Sequence, residues 1–335
     1  MRHQFRRFSI SVLLALGVLG LSPSANTAAL KDPVHLRIAS AGIGGGWYVY
    51  AATFAKIFRD VLPKGSTLDV LPIAGSVGNP KLVNRGDAEF GLAQTVTGFW
   101  ATKGIETYDA PLKNVRAIAG GFDELWMAFI VDKKSGLMSI EEVKAKNYPL
   151  RLLTAQRGGT GELVTRMILD AYGMSYDSLE KAGGSAKPVP RPAVAGIIRD
   201  GKADAYSHSI MVNHATAVEL SNNVDVRYLP LKSEVISNLS KSGLAPVTIP
   251  AGSFRGQDKD IPTVGSPTIL IVRADLDDEV VYTVTKALLE NKAALDKGHA
   301  GLKAFDPKTA WKQEKLGVPL HPGAARYYKE RGWMK

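Results

Sequence analysis

The residues best suited to chemistry in this chain are glycines. The run Ile38-Ala39-Ser40-Ala41-Gly42-Ile43-Gly44-Gly45-Gly46-Trp47-Tyr48 reads as a strand passing through a glycine turn into a helix. A side chain in such a turn would hold ligand oxygens away from the main chain. Glycine leaves the N–H groups open, and the first turn of the helix adds unpaired donors at the positive end of its dipole. The chemistry is capture of a small anion, although the same segment standing alone also fits a tight strand-to-helix connection. Related arrangements recur. Ala74-Gly75-Ser76-Val77-Gly78-Asn79 opens a helix at Ser76, a good N-cap residue; Gln94 and Thr95 close a short apolar strand; Gln156-Arg157-Gly158-Gly159-Thr160-Gly161 precedes another helix.

These groups need a scaffold that brings them to one edge, and strand and helix patterns do alternate along the chain. Residues 34–39, 68–72 and 88–93 are strand-like, with a helix at 48–61 and others after Ser76 and Thr95. In a parallel sheet built this way, ligands bind beyond the carboxyl ends of the strands. A second series follows, with strands at 126–131 and 150–154, a helix start capped at Ser139, helices at 162–172 and 193–200, and strands at 203–206 and 224–229. Ser207-His208-Ser209 falls just past one strand end. For His208, ligand contact and the satisfying of a neighbour are both open, and Arg157 is either a bidentate partner for a ligand carboxylate or an exposed loop arginine. Residues 246–267, rich in proline and glycine, read as loop or hinge, with strand-like Val247-Thr248-Ile249 on one side and a strand at 268–272 on the other, followed by helices at 279–289, around Trp311, and through Ala324, Tyr327 and Tyr328. Trp126 and the tyrosine pair read as packing. No repeat of fixed period and no low-complexity tract is present.

The other function classes find little support. Ser, His and Asp are scattered without a nucleophile elbow, paired acids or a His-rich metal spacing, so neither an enzyme nor a metal site is expected. Gly42, Gly44 and Gly46 after a strand resemble a dinucleotide fingerprint, but its last glycine and its strand-end acid are missing, and no cofactor is expected. The formal net charge is +10. Lys and Arg are interspersed with acids, which argues against nucleic acid as a partner. Arg2, Arg6 and Arg7, an apolar run from Ile10 to Leu21 shorter than the roughly 20 residues of a spanning helix, and the small residues Ala25, Ala28 and Ala29 spell a cleaved secretory signal over residues 1–28. Removing its three arginines from +10 leaves +7. There is no cysteine, hence no disulfide and no lipidated cysteine to tether an exported chain. A soluble periplasmic monomer is expected.

From Leu36 onward the chain resembles the TAXI family of TRAP-transporter solute receptors, the extracytoplasmic binding subunits of tripartite ATP-independent periplasmic transporters. The resemblance lies in the first glycine turn, in Gly75-Ser76-Val77-Gly78-Asn79, in Val247-Thr248-Ile249-Pro250-Ala251-Gly252-Ser253-Phe254, in Pro262-Thr263-Val264 and in Pro319-Leu320-His321-Pro322-Gly323-Ala324-Ala325-Arg326-Tyr327-Tyr328. It implies an α/β, type II periplasmic-binding-protein fold with residues 29–125 and 263–335 in one lobe, 126–262 in the other, and a hinged cleft between them. It further implies a small carboxylate ligand handed to a membrane permease. The candidate ligand contacts are Ile43 to Tyr48, Gly75, Ser76, Gln94, Thr95, Arg157 to Gly161 and His208. A receptor of the same fold serving a sensor kinase or an ATP-driven importer is the alternative.

The departures from that family are informative. Its first turn commonly carries hydroxyl residues where Ile43 and Gly46 stand, and a tyrosine at Trp47. Its second-lobe turn usually has serine at Gly158 and often an acid at Gly161. A buried carboxylate short of donors is disfavoured by about 1–3 kcal/mol per missing bond. A less polar or differently shaped carboxylate is therefore expected, with Trp47 as an apolar wall.

Overall fold

The computed structural model describes residue 1 and residues 30–43, 45–73, 75–157 and 159–335. Apart from residue 1, the expected N-terminal signal lies outside the described residues, as do Gly44, Ala74 and Gly158.

Strands β1 (His35–Ala39), β2 (Thr67–Leu71) and β3 (Phe90–Gln94) are parallel and joined by helices α1 (Gly46–Arg59) and α2 (Gly75–Arg85). Helix α3 (Thr95–Lys103) leads to β4 (Val115–Gly120), and β12 (Thr268–Arg273) inserts between β3 and β4, antiparallel to both. The sheet is thus parallel over β2-β1-β3, as the three successive strand–helix units suggest, and antiparallel where β12 joins it. All of β3 is buried, because helices cover both faces of this sheet. One face packs Tyr50, Phe54, Phe58, Phe90, Phe122, Phe305, Tyr327 and Tyr328 against α1, α10 (Asp278–Glu290), α11 (Lys292–Gly298) and α13 (Pro322–Glu330). The other packs Val83, Ala93, Ala117 and Ile271 against Leu316 of α12 (Gln313–Leu316). Trp311 lies in a turn ahead of α12, not in the expected helix: the Asp306 carboxylate accepts from Lys308 N–H and from the Thr309 hydroxyl, which favours a turn over a helix start.

The second sheet runs β10-β11-β5-β8-β6-β7, with β9 also paired to β5. Its strands are β5 (Trp126–Asp132), β6 (Arg151–Thr154), β7 (Ser185–Pro188), β8 (Ala205–Ile210), β9 (Val226–Leu229), β10 (Ala245–Ile249) and β11 (Ile261–Gly265). Its helices are α4 (Glu141–Ala145), α5 (Thr160–Ala171), α6 (Tyr176–Lys181), α7 (Val194–Arg199), α8 (Ala215–Asn223) and α9 (Ser233–Ser240). Three expectations change here. Helix α4 follows Ile140, so Ser139 is not its cap. The strand expected at 247–249 is β10, but the loop does not run on to 267, because β11 pairs antiparallel with β10, Ala245 opposite Gly265, and crosses the expected boundary at 262/263. Ser207, His208 and Ser209 lie inside β8, held in register by Phe129, Ala128 and Met127 of β5.

Both lobes start their parallel strands with the same clamp. Glu89, ahead of β3, accepts from Arg37 N–H and Nε of β1 (2.9 and 3.2 Å). Asp204, ahead of β8, accepts from Arg151 N–H and Nε of β6 (2.9 and 3.0 Å). The lobes connect through 121–125 and Ser266-Pro267, which run side by side with Ser266 N–H on Leu125 O (3.1 Å), while α3 reaches across to place Trp100 Nε1–H on Ser242 O (2.8 Å).

Candidate functional site

The carboxyl ends of β1, β2 and β3 share an edge, so the turns that follow them must meet. Buried Asn79 ties them together, its Nδ2 donating to Ala39 O, Ser40 O and Leu92 O (3.2, 2.8 and 2.7 Å). In the first turn Gly45 N–H closes on Gly42 O (3.1 Å), and Gly45 is the N-cap of α1. A glycine cap has no side chain to occupy the first-turn N–H groups, so those of Gly46 and Trp47 stay open to a ligand. In the second lobe Gly159 N–H closes on Gln156 O (3.1 Å), and Gly159 caps α5 with nearly the same backbone, φ −80° and ψ 151° against −87° and 154°. Two uncapped helix N-termini, one from each lobe, therefore share one construction.

The predicted site residues do not all face the same place. Gly45 and Gly46 line a cavity of ≈ 580 Å³ between the lobes, opposite Arg191, Asn213, His214 and Glu219. Thr160 is buried, and its Oγ1 has no partner among the described residues. Gln94 is buried and spans the lobes, Nε2 donating to Ser209 Oγ (3.4 Å). Ser76 is a fastener, its Oγ accepting from Gln94 N–H (3.0 Å) and bonded to Thr97 Oγ1 (2.7 Å). Thr95 donates to Lys315 O (3.0 Å) and its N–H to Pro267 O (3.0 Å), which secures the crossing. Gly75 N–H is taken by Ser40 O (3.2 Å) and Ile73 O (2.8 Å). Ile43 is exposed at the tip of its turn. Tyr48 lines a separate groove of ≈ 600 Å³ between α1 and α11. Arg157 is exposed and does not line the interlobe cavity. Trp47 packs against the core of its own lobe, and its Nε1–H donates to Thr268 Oγ1 (2.9 Å). It ties the turn to the crossing and does not line the interlobe cavity.

That link continues inward. The Asp123 carboxylate accepts from Thr268 N–H and Oγ1–H (2.7 Å each). Burial pushes Asp123 up to about 6, although the two bonds from Thr268 favour its charged form.

Gly161 has a specific reason to be glycine. A Cβ there would stand 2.3 Å from His208 Nδ1, so the imidazole fills the space a side chain would need. His208 is drawn down to about 3 by burial, with His214 and Arg191 adding to the shift, and His214 is drawn to about 4 by burial and Arg191. Both rings are neutral at pH 7, with centroids 5.7 Å apart. Across the cavity, burial also lowers His299; its Nδ1 accepts from Gly301 N–H (3.0 Å), so the neutral ring carries its proton on Nε2, the atom nearest Gly46. These rings do not form a ligand set: among the described residues no group of three or more His, Cys, Asp or Glu could hold a metal ion.

Sequence reasoning missed Arg191, His214 and His299. Arg191 had a signal in its flanking prolines, Pro188-Val189-Pro190-Arg191-Pro192; His299 lies far along the chain from Gly46 and had none.

Comparison with known structures places this architecture. The periplasmic binding protein BugD is 18% identical, with a TM-score of 0.51 over 90% of this chain and 98% of that one. A TctC solute binding protein from Polaromonas, without ligand, is 18% identical, with a TM-score of 0.50 over 90% and 94%. The fold is the two-sheet α/β fold of periplasmic binding proteins. Residues 38–332 match the model of the NMT1-like family, and the chain belongs to that family.

Proposed function

We propose that this protein is an extracytoplasmic solute receptor that binds a small organic carboxylate between its lobes and delivers it to a membrane permease of the TRAP type, as the resemblance to TAXI receptors implies. The observation that carries this reading is a cavity between the two lobes that the glycine-capped N-terminus of α1, Gly45–Gly46, lines from one side and Arg191, Asn213 and His214 line from the other. Main-chain N–H groups and neutral imidazoles suit capture and release of an anion; they offer no acid–base pair for turnover. Family membership, a fold shared with proteins named as periplasmic and solute binding proteins, and the N-terminal signal sequence support the location and the class. No helix among the described residues is long and apolar enough to cross a membrane.

The first sheet with its helices, up to residue 120 and again from 268, and the second sheet with its helices, residues 126–265, then act as two bodies that bend about 121–125 and Ser266-Pro267. A ligand held by both gives the closed form contacts that the open form lacks, and the closed population rises. The test is native mass spectrometry of the protein as purified, followed by a thermal-shift screen of organic acids and solution scattering on the hits. A raised melting temperature with a smaller radius of gyration is expected. If no acid in a broad panel moves either quantity, the receptor reading fails. In proteoliposomes holding the cognate permease, uptake is expected to need this protein and an ion gradient, without ATP.

A further inference from the structure

Three parallel strands of the second lobe, β7, β6 and β8, end at one edge, and the chain leaves each by a different segment. After β6 comes the Gly159 turn, after β8 the segment reaching His214, and after β7 Arg191. Val189 N–H donates to Thr154 O (3.2 Å), which holds the exit from β7 against the approach to the Gly159 turn. Pro190 caps the 3-10 turn Arg191–Ala193 and Pro192 lies within it. Prolines fix φ, so this backbone loses little freedom when the guanidinium engages a ligand. Arg191 lines the interlobe cavity, and among the described residues its guanidinium has neither an ion-pair nor a hydrogen-bond partner. Glu219 of α8 lines the same cavity, and its carboxylate is likewise unpartnered among the described residues.

Resting on the receptor reading above, we infer that Arg191 is the carboxylate anchor of this cavity and that Glu219 makes it select acids with one carboxylate and a neutral or cationic far end over dicarboxylates. A guanidinium takes a carboxylate with two parallel charge-assisted bonds, and the first lobe faces it with the Gly46 turn and His299 Nε2–H. His214 and His299 are uncharged at pH 7, so they add hydrogen-bonding capacity without drawing in a second negative charge. A dicarboxylate seated on Arg191 carries its other charge into a cavity where Glu219 repels it, whereas an ammonium end is attracted. Arg157 lies outside this cavity and has no part in the discrimination.

Three acids of equal chain length separate the terms: pentanoate, glutarate and 5-aminopentanoate differ only at the far end. Titration calorimetry of the mature protein at low ionic strength is expected to place pentanoate or 5-aminopentanoate about tenfold or more ahead of glutarate. Arg191→Ala is expected to weaken the better acid about 30-fold, and Arg191→Lys, which loses the bidentate fork, about fivefold. Glu219→Gln is expected to bring glutarate to within about threefold of pentanoate. Both side chains are exposed, and unchanged melting curves of the unliganded variants will show that folding is intact. The inference is overturned if Arg191→Ala leaves affinity within about threefold, if Arg157→Ala abolishes binding in its place, or if glutarate binds best and Glu219→Gln does not alter the ranking. Wild-type protein that binds none of these acids, nor any in a wider panel, would remove the receptor reading and this inference with it.

Discussion

The two glycine turns share a backbone and distribute their bulk in opposite ways. In the first lobe the residue after the cap is Gly46 and the next is Trp47, whose indole folds back onto Thr268. In the second lobe the residue after the cap is Thr160 and the next is Gly161, whose missing side chain makes room for His208 from β8. One lobe fills the space beside its turn from its own helix, the other from a neighbouring strand. The first turn is therefore tied to the inter-lobe crossing, and the second to the sheet and its neutral imidazoles.

The largest test of this contrast is acid. His208 and His214 have folded pKa values of about 3 and about 4, below the 6.5 of a free histidine, so their contribution to stability is full above pH 6.5 and is lost as pH falls through that window. Asp123 has the opposite sign: its folded value of about 6 lies above the ordinary 3.8, so its contribution is full at low pH and is lost as pH rises through about 6. Two depressed histidines outweigh one raised carboxylate. Urea titrations between pH 7.5 and 4.5 are expected to show a net loss on the order of 3 kcal/mol. His214→Gln should flatten the slope, and Asp123→Asn should steepen it by removing the opposing gain. Equal slopes in all three proteins would mean that the second-lobe rings are not what sets the lobes apart.

Next comes Gly161→Ala. Its methyl meets His208 Nδ1 at 2.3 Å and Ser209 N at 3.2 Å, and the crowding is expected to destabilise the protein by about 1–3 kcal/mol. The second change His208→Ala should recover most of that loss, and a double variant as unstable as the single would show that the glycine serves something other than the ring. Trp47→Phe removes the indole N–H and leaves Thr268 one partner short, for about 1 kcal/mol by thermal unfolding. Smallest in stability is Gly46→Ala, whose Cβ would stand 3.4 Å from His299 Nε2, an ordinary contact. A change within about 0.5 kcal/mol is expected, together with weaker ligand binding, because the methyl projects beside the cavity.

The alternation of strands and helices and the glycine turns are visible in the sequence because they are local: each turn needs only its own residues and the helix that follows. The second sheet is harder to read. Residues 261–265 contain Pro262, and Pro246 lies in β10; prolines argue against a strand, yet here they belong to a hairpin whose outer member is an edge strand. Ser207-His208-Ser209 is polar and looks like a strand end, but Ser207 bonds Thr165 inside the lobe (2.8 Å) and His208 occupies the space left at Gly161, so polar residues continue β8. The partnership of Gly46 with His299 is invisible in one dimension, because it depends on how α11 packs beside α1.

Trp47 gives the molecule a native optical gauge. Its indole N–H ends on Thr268 and, one bond further, on the carboxylate of Asp123 between the two connections. Any rotation that alters this spot changes the polarity around the chromophore, so the emission maximum of the unlabelled protein should move with opening angle. Trp311 and Trp333, packed against the core of the first lobe, would supply a steadier background against which that movement is read.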